Sequence, residues 1–111
     1  MCIRDRYNGV YSRIGLPIVF DYHHHRFCDG GLSEQEALEL AISTWPSDIT
    51  PATHYSESRS TEQLDESIRP QAHSDYVYDY IDNYGNDIDV MIEAKHKELA
   101  VDKYKDLWIK N

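Results

Sequence analysis

Pro17-Ile18-Val19-Phe20-Asp21-Tyr22-His23-His24-His25 is an apolar run that stops abruptly in a carboxylate and three imidazoles. Apolar and β-branched residues after a proline read as a short strand buried on both faces. An Asp at the carboxyl end of such a strand, with a His three positions on, is the pattern of a metal site at the rim of a parallel barrel. Three adjacent histidines also suit a polar surface turn or the remains of a purification tag. A tag is usually longer and terminal, whereas these lie inside the chain directly after a buried-strand pattern, which favours metal or catalytic use.

Candidate partners recur at intervals that suit successive strand ends. Pro51-Ala52-Thr53-His54-Tyr55-Ser56 places a His in a short extended segment, and Gln71-Ala72-His73-Ser74-Asp75 places another in the loop that follows. Ile88-Asp89-Val90-Met91-Ile92-Glu93-Ala94-Lys95 ends a third apolar run in a Glu.

Between the first two strand patterns, Ser33 and Glu36 form a capping box, and Leu38, Ile42 and Trp45 recur at helical spacing. A second helix is expected over 76–83, capped by Ser74 or Asp75 and stopped by Gly85. A last helix is expected over 98–108, with Val101, Tyr104 and Trp108 on one face. Strands alternating with helices imply parallel βαβ units, whose ligand sites gather at the carboxyl ends of the strands. Asp21, His54 and Glu93 all occupy such ends.

A closed barrel of eight such units takes about 250 residues and rarely fewer than about 200. This chain has 111. The expected fold is therefore α/β, a partial TIM (β/α)8 barrel comprising about the last three βα units, with parallel edges left open. Residues 1–14 read as a leader, because Met1-Cys2-Ile3-Arg4-Asp5-Arg6 resembles a hexapeptide that arises by reading through adapter sequence. Residues 15–111 read as the carboxyl-terminal part of the barrel domain.

The leader lacks the apolar core of a signal peptide, and no segment approaches the roughly 20 apolar residues that span a bilayer. Two cysteines without a pattern argue against a disulfide scaffold or a structural zinc knuckle, and Cys28 reads as a small, partly buried loop residue. A net charge of −9 is not that of a free-standing nucleic-acid clamp. Carboxylates that bind divalent cations inflate that formal charge, so a DNA-binding surface would be local or lie in the part of the barrel this chain lacks.

Phe20-Asp21-Tyr22-His23-His24, Thr53-His54-Tyr55-Ser56, Gln71-Ala72-His73-Ser74-Asp75 and Val90-Met91-Ile92-Glu93-Ala94-Lys95 resemble, in order and approximate spacing, motifs of the UV damage endonucleases. Each motif is short, but four in the correct order make the resemblance fairly specific, and it extends from about Gly15 to Tyr104. It implies a barrel related to endonuclease IV and xylose isomerase, with up to three divalent metals in its mouth. It also implies nicking of damaged double-stranded DNA 5′ to ultraviolet photoproducts, in the bacterial cytoplasm at the nucleoid or in a eukaryotic nucleus. No membrane and no obligate protein partner is expected.

Carried over by motif, Asp21 and His54 share one metal with Glu93, while His24 and His73 hold another. Asp21, His54 and Glu93 would act in catalysis through the metal. Some family members carry a lysine two residues before the second motif's histidine, and this chain has Ala52 there. The bridging glutamate, the remaining histidines and the lesion-probing residues expected on earlier strands are not in this chain, so it is expected to be inactive alone.

Hydrolysing a phosphodiester needs a hydroxide nucleophile, neutralised phosphoryl charge and support for the departing 3′ oxygen; metals about 3.5–4 Å apart meet all three needs. Mixed imidazole and carboxylate ligands suit Mn2+ first and Zn2+ second, with Mg2+ favouring more oxygen and water. Arg59, Lys95 and Lys97 are candidate phosphate contacts, although lone surface cations are common. His23 and His25 read as outer donors to the metal ligands or as solvated rim residues, and His96 as a loop residue. Tyr76 and Tyr80 share a helical face in this reading and serve packing ahead of base stacking. The competing readings are an abasic-site endonuclease or sugar isomerase of the same barrel class, and a non-catalytic metal-binding fragment.

Overall fold

The computed structural model describes residues 2–108. In chain order these form α1 (Ile3–Arg6), a π-helical turn (Tyr7–Tyr11), α2 (Ser12–Ile14), β1 (Phe20–Asp21), α3 (Tyr22–Phe27), α4 (Glu34–Ile42), β2 (Ala52–Tyr55), α5 (Arg59–Gln63), β3 (Asp89–Ile92) and α6 (Glu98–Trp108). The three strands make one sheet in the order β1-β2-β3. β1 runs parallel to β2, with Phe20 opposite Thr53 and Asp21 opposite His54. Along β3 the Asp89 N–H donates to the Pro51 carbonyl and the Glu93 N–H to the Tyr55 carbonyl, a register that advances in one direction and so is parallel too. The expected α/β class with a parallel sheet is therefore present.

By contact density the chain groups into two compact units, Met1–His54 with Asn83–Val90 and Tyr55–Asp82 with Met91–Asn111. In the first, Phe20, Ala37 and Leu38 are fully buried, and the Phe20 ring meets Tyr22 edge-on at 4.8 Å. The capping box forms as expected: Ser33 Oγ accepts the Glu36 N–H at 3.1 Å, and Glu36 returns the favour to the Ser33 N–H at 3.0 Å. Trp45 lies past the end of α4, where its indole N–H donates to the Ile18 carbonyl at 2.7 Å.

The histidine run, to which the sequence reading assigned no element, makes a helix, α3, begun one residue after the strand because Asp21 caps it. One expectation fails in this unit. The cysteines are paired, Cys2 with Cys28, their Cα atoms 5.3 Å apart. Left-handed backbone at Gly30 and Gly31 turns the chain back there, and a Cβ on Gly30 would approach that of Cys2 to 3.2 Å. A count of cysteines carries no information about that turn.

In the second unit α6 has the expected bounds and buries Ala100 and Tyr104, while Trp108 stays half exposed and donates its indole N–H to the Tyr78 carbonyl. The helix expected over 76–83 is absent, and that segment is irregular. Its backbone N–H groups bond instead to two distant carboxylates. Glu57 accepts from Tyr78 and Asp79, and Glu62 accepts from Asp75 and Tyr76. Tertiary partners thus replace the i to i−4 ladder. Gly85 sits in a turn at φ 79° and not at a helix end.

Candidate metal centre

β1 ends in Asp21, whose carboxylate Oδ1 accepts the His24 N–H at 3.0 Å. One side chain therefore both starts α3 and is held in a fixed orientation. Across the parallel pair, His54 is its register partner. Within β2 the burial alternates, with Thr53 and Tyr55 buried and Ala52 and His54 half-buried, so the imidazole lies on the more open side of the strand. Glu93 follows the last residue of β3, where its N–H is tied to the Tyr55 carbonyl at 2.8 Å. One ligand atom from each of Asp21, His54 and Glu93 lies within 4.8 Å of the others, and all three residues are half-buried.

The donor set fits a divalent ion. Ligand atoms on one ion with bonds of about 2.0–2.2 Å stand about 3–3.6 Å apart when adjacent and at most about 4.4 Å apart when opposite, so side-chain rotations that draw the three together by about an ångström close the cluster. One imidazole with two carboxylates is the borderline set that suits manganese or zinc.

The family model for the UV-endonuclease UvdE matches residues 9–108. The chain belongs to the UvdE family. It is 36% identical over 96 residues to the UV-damage endonuclease of Schizosaccharomyces pombe, an alignment covering 81% of this chain and 16% of that protein. It is 33% identical over 104 residues to the UV DNA damage endonuclease of Bacillus mycoides, covering 84% of this chain and 30% of the relative. The solved structure of SacUVDE superposes with a TM-score of 0.71 at 27% identity, covering 96% of this chain and 36% of that one. The chain thus spans a third or less of the length of these curated relatives.

Of the five ligands expected for a UvdE chain, the cluster contains Asp21, His54 and Glu93; His24 and His73 fall outside it. His24 is half-buried on α3, two residues into the helix that Asp21 caps. His73 is half-buried, and its backbone forms an antiparallel bridge with Ser58, just past β2. The neighbouring histidines are not solvated rim residues. His23 is buried edge-on against Phe27 at 4.9 Å, and His25 is buried against Phe20 at 5.6 Å.

The candidate phosphate contacts separate. Arg59 is paired with Asp75 at 3.3 Å, which neutralises it. Lys95 lines an open cleft, and Lys97 is exposed at φ 48°, just before α6. His96 is exposed, stacks on Tyr76 at 4.8 Å and lies 3.9 Å from Asp75. The tyrosines serve packing: Lys103 lies over both Tyr76 and Tyr78, and Tyr80 meets Trp108 edge-on.

Glu57 and Glu62 were missed by the sequence reading, although a carboxylate two residues past the end of β2 is a signal for the first. Glu57 is buried and also accepts the Tyr55 hydroxyl at 2.8 Å. Burial pushes the Glu62 carboxyl up, but bonds from the Asp75 N–H, the Tyr78 hydroxyl, Gln63 and the Tyr76 N–H outweigh it and hold it at about 2. Burial, followed by the bond to Glu62, pushes the Tyr78 phenol up to about 12. Together the two carboxylates fix the segment that follows His73.

Proposed function

We propose that this chain forms the metal-binding rim of a DNA repair endonuclease that nicks the phosphodiester backbone 5′ to ultraviolet photoproducts. The observation that carries this reading is the convergence of Asp21, His54 and Glu93 from three adjacent strand ends. Family membership supports the class of substrate, since the relatives are named UV damage endonucleases.

Asp21, His54 and Glu93 would hold one divalent ion, manganese first and zinc or magnesium after it, and His24 and His73 a second. The chemistry these residues would gain from such an ion is a hydroxide nucleophile near neutral pH and neutralised charge on the phosphoryl oxygens. The chain's own residues orient the site. The His24 N–H fixes the Asp21 carboxylate, the β2 register sets His54 beside it, and the Glu93 N–H anchors the end of β3.

The barrel in this reading is of the TIM type related to endonuclease IV, to which this chain contributes three βα units. β1 and β3 are the outer strands of the sheet, which suits edges that further barrel strands pair. Action at the bacterial nucleoid or in a nucleus follows from the substrate. Among the described residues no helix is long and apolar enough to cross a membrane.

The test is manganese-dependent nicking of a duplex carrying one defined photoproduct, by this chain alone and by a complete barrel that contains it. Expected is a cut 5′ to the lesion by the complete barrel, abolished by Asp21→Ala and by Glu93→Ala. A folded, metal-loaded barrel that leaves the lesion uncut would remove the endonuclease reading and move the weight to a sugar isomerase or a non-catalytic metal protein.

A further inference from the structure

Arg69, Gln71, Ala72, His73, Ala94 and Lys95 line an open cleft of about 430 Å³. Its walls are pinned by backbone bonds. The Ala72 carbonyl accepts the Arg59 N–H at 2.9 Å, the Arg69 carbonyl accepts the Ala72 N–H at 3.0 Å, and the Lys95 N–H donates to the Ser74 carbonyl at 3.0 Å. The cleft is thus a built feature of the segment that Glu57 and Glu62 hold in place.

Its charge is unusual for this molecule. The chain carries −9 overall, yet the cleft is lined by two cations and no carboxylate. Among the described residues neither Arg69 nor Lys95 is in an ion pair, whereas Arg59 nearby in sequence is spent on Asp75. Two uncompensated cations facing one cleft in an acidic protein attract an anion there. Lys95 stands two residues after Glu93, which limits their Cα separation to about 7 Å. An anion on Lys95 is therefore a close neighbour of the metal carboxylate, and His73 lines the same cleft.

We propose that the cleft lined by Arg69 and Lys95 seats a backbone phosphate of the DNA duplex beside the metal centre. The assignment rests on the reading of DNA as substrate and adds to it two named contacts. Phosphate contacts set register and carry no sequence information, so this seat would position damaged and undamaged duplex alike and leave lesion choice to other residues. It also replaces Arg59 with Arg69 among the cations available to DNA.

The test is the salt dependence of duplex binding by the 111-residue chain, read by fluorescence anisotropy. Each lost phosphate contact lowers the slope of log affinity against log salt by about 0.9. Expected is a fall of about one in Arg69→Gln and in Lys95→Gln, of about two in the double variant, and of none in Lys105→Gln on α6. Arg69→Lys should keep the slope, and lesion-bearing and undamaged duplexes should weaken by the same factor. An unchanged slope in the double variant overturns the assignment, as does weaker binding at constant slope or an absence of duplex binding by the parent chain. Nicking is scored separately: reduced slopes with no photoproduct-dependent cut in the complete barrel leave the phosphate seat standing while the endonuclease reading falls.

Discussion

Asp21 accepts the His24 N–H at 3.0 Å while standing opposite His54 in the parallel register, so one carboxylate serves as helix cap and as candidate metal ligand. The two duties separate by substitution. Asn caps as well as Asp but is a poor ligand, whereas Ala does neither. Asp21→Asn should keep stability within about 0.5 kcal/mol and Asp21→Ala should lose about 1 kcal/mol, by urea denaturation without metal. Both should weaken manganese binding at least about tenfold in calorimetric titration, a cost of about 1.4 kcal/mol. Equal stability losses in the two variants would remove the capping role.

Phe20 is fully buried one residue before that ligand. Phe20→Ala should cost about 3–5 kcal/mol of unfolding free energy. Because the strand it anchors carries Asp21, metal affinity should fall with it, and an unaltered affinity in a destabilised variant would show the two to be independent.

Glu62 should govern acid stability. Its carboxyl is held at about 2, below the ordinary value of 4.5, so the folded state favours its ionised form. That contribution is complete above about pH 5 and lost as the pH falls toward about 2. Glu62→Gln should lower the urea midpoint at pH 7 and flatten its decline between those limits. A variant whose midpoint falls with acid as steeply as the parent's would assign the sensitivity to other groups.

The α4 capping box provides a local measure. Ser33→Ala should cost about 1 kcal/mol, since it removes the bond to the Glu36 N–H. Loss of helical circular dichroism at lower urea concentration, with metal affinity intact, is the expected outcome.

Elements with local causes were legible in the sequence. The Ser33 and Glu36 box and the bounds of α6 follow from side chains within a turn of one another. The strand ends were legible because apolar runs stop at Asp21 and Glu93. The segment over 76–83 was not, because Tyr76 and Tyr80 mimic helical spacing while the backbone is claimed by Glu57 and Glu62, 13–22 residues earlier. α3 was not anticipated, because Asp21 was read as a ligand and the same residue type also caps a helix. Cys2 and Cys28 are 26 residues apart and meet only through a glycine turn.

The two residues of β1 face opposite ways, Phe20 into the apolar interior and Asp21 toward the candidate metal. A slip of one residue would exchange their sides, exposing the ring and burying the carboxylate. Core packing and the proposed ion capture would therefore be linked thermodynamically through a strand two residues long. An ion at a hundredfold excess over its dissociation constant adds about 2.7 kcal/mol to the folded state. With an ion bound as proposed, the melting temperature of this protein would double as a gauge of metal occupancy, and a genetic screen for lost metal binding would return substitutions in the hydrophobic interior alongside the proposed ligands.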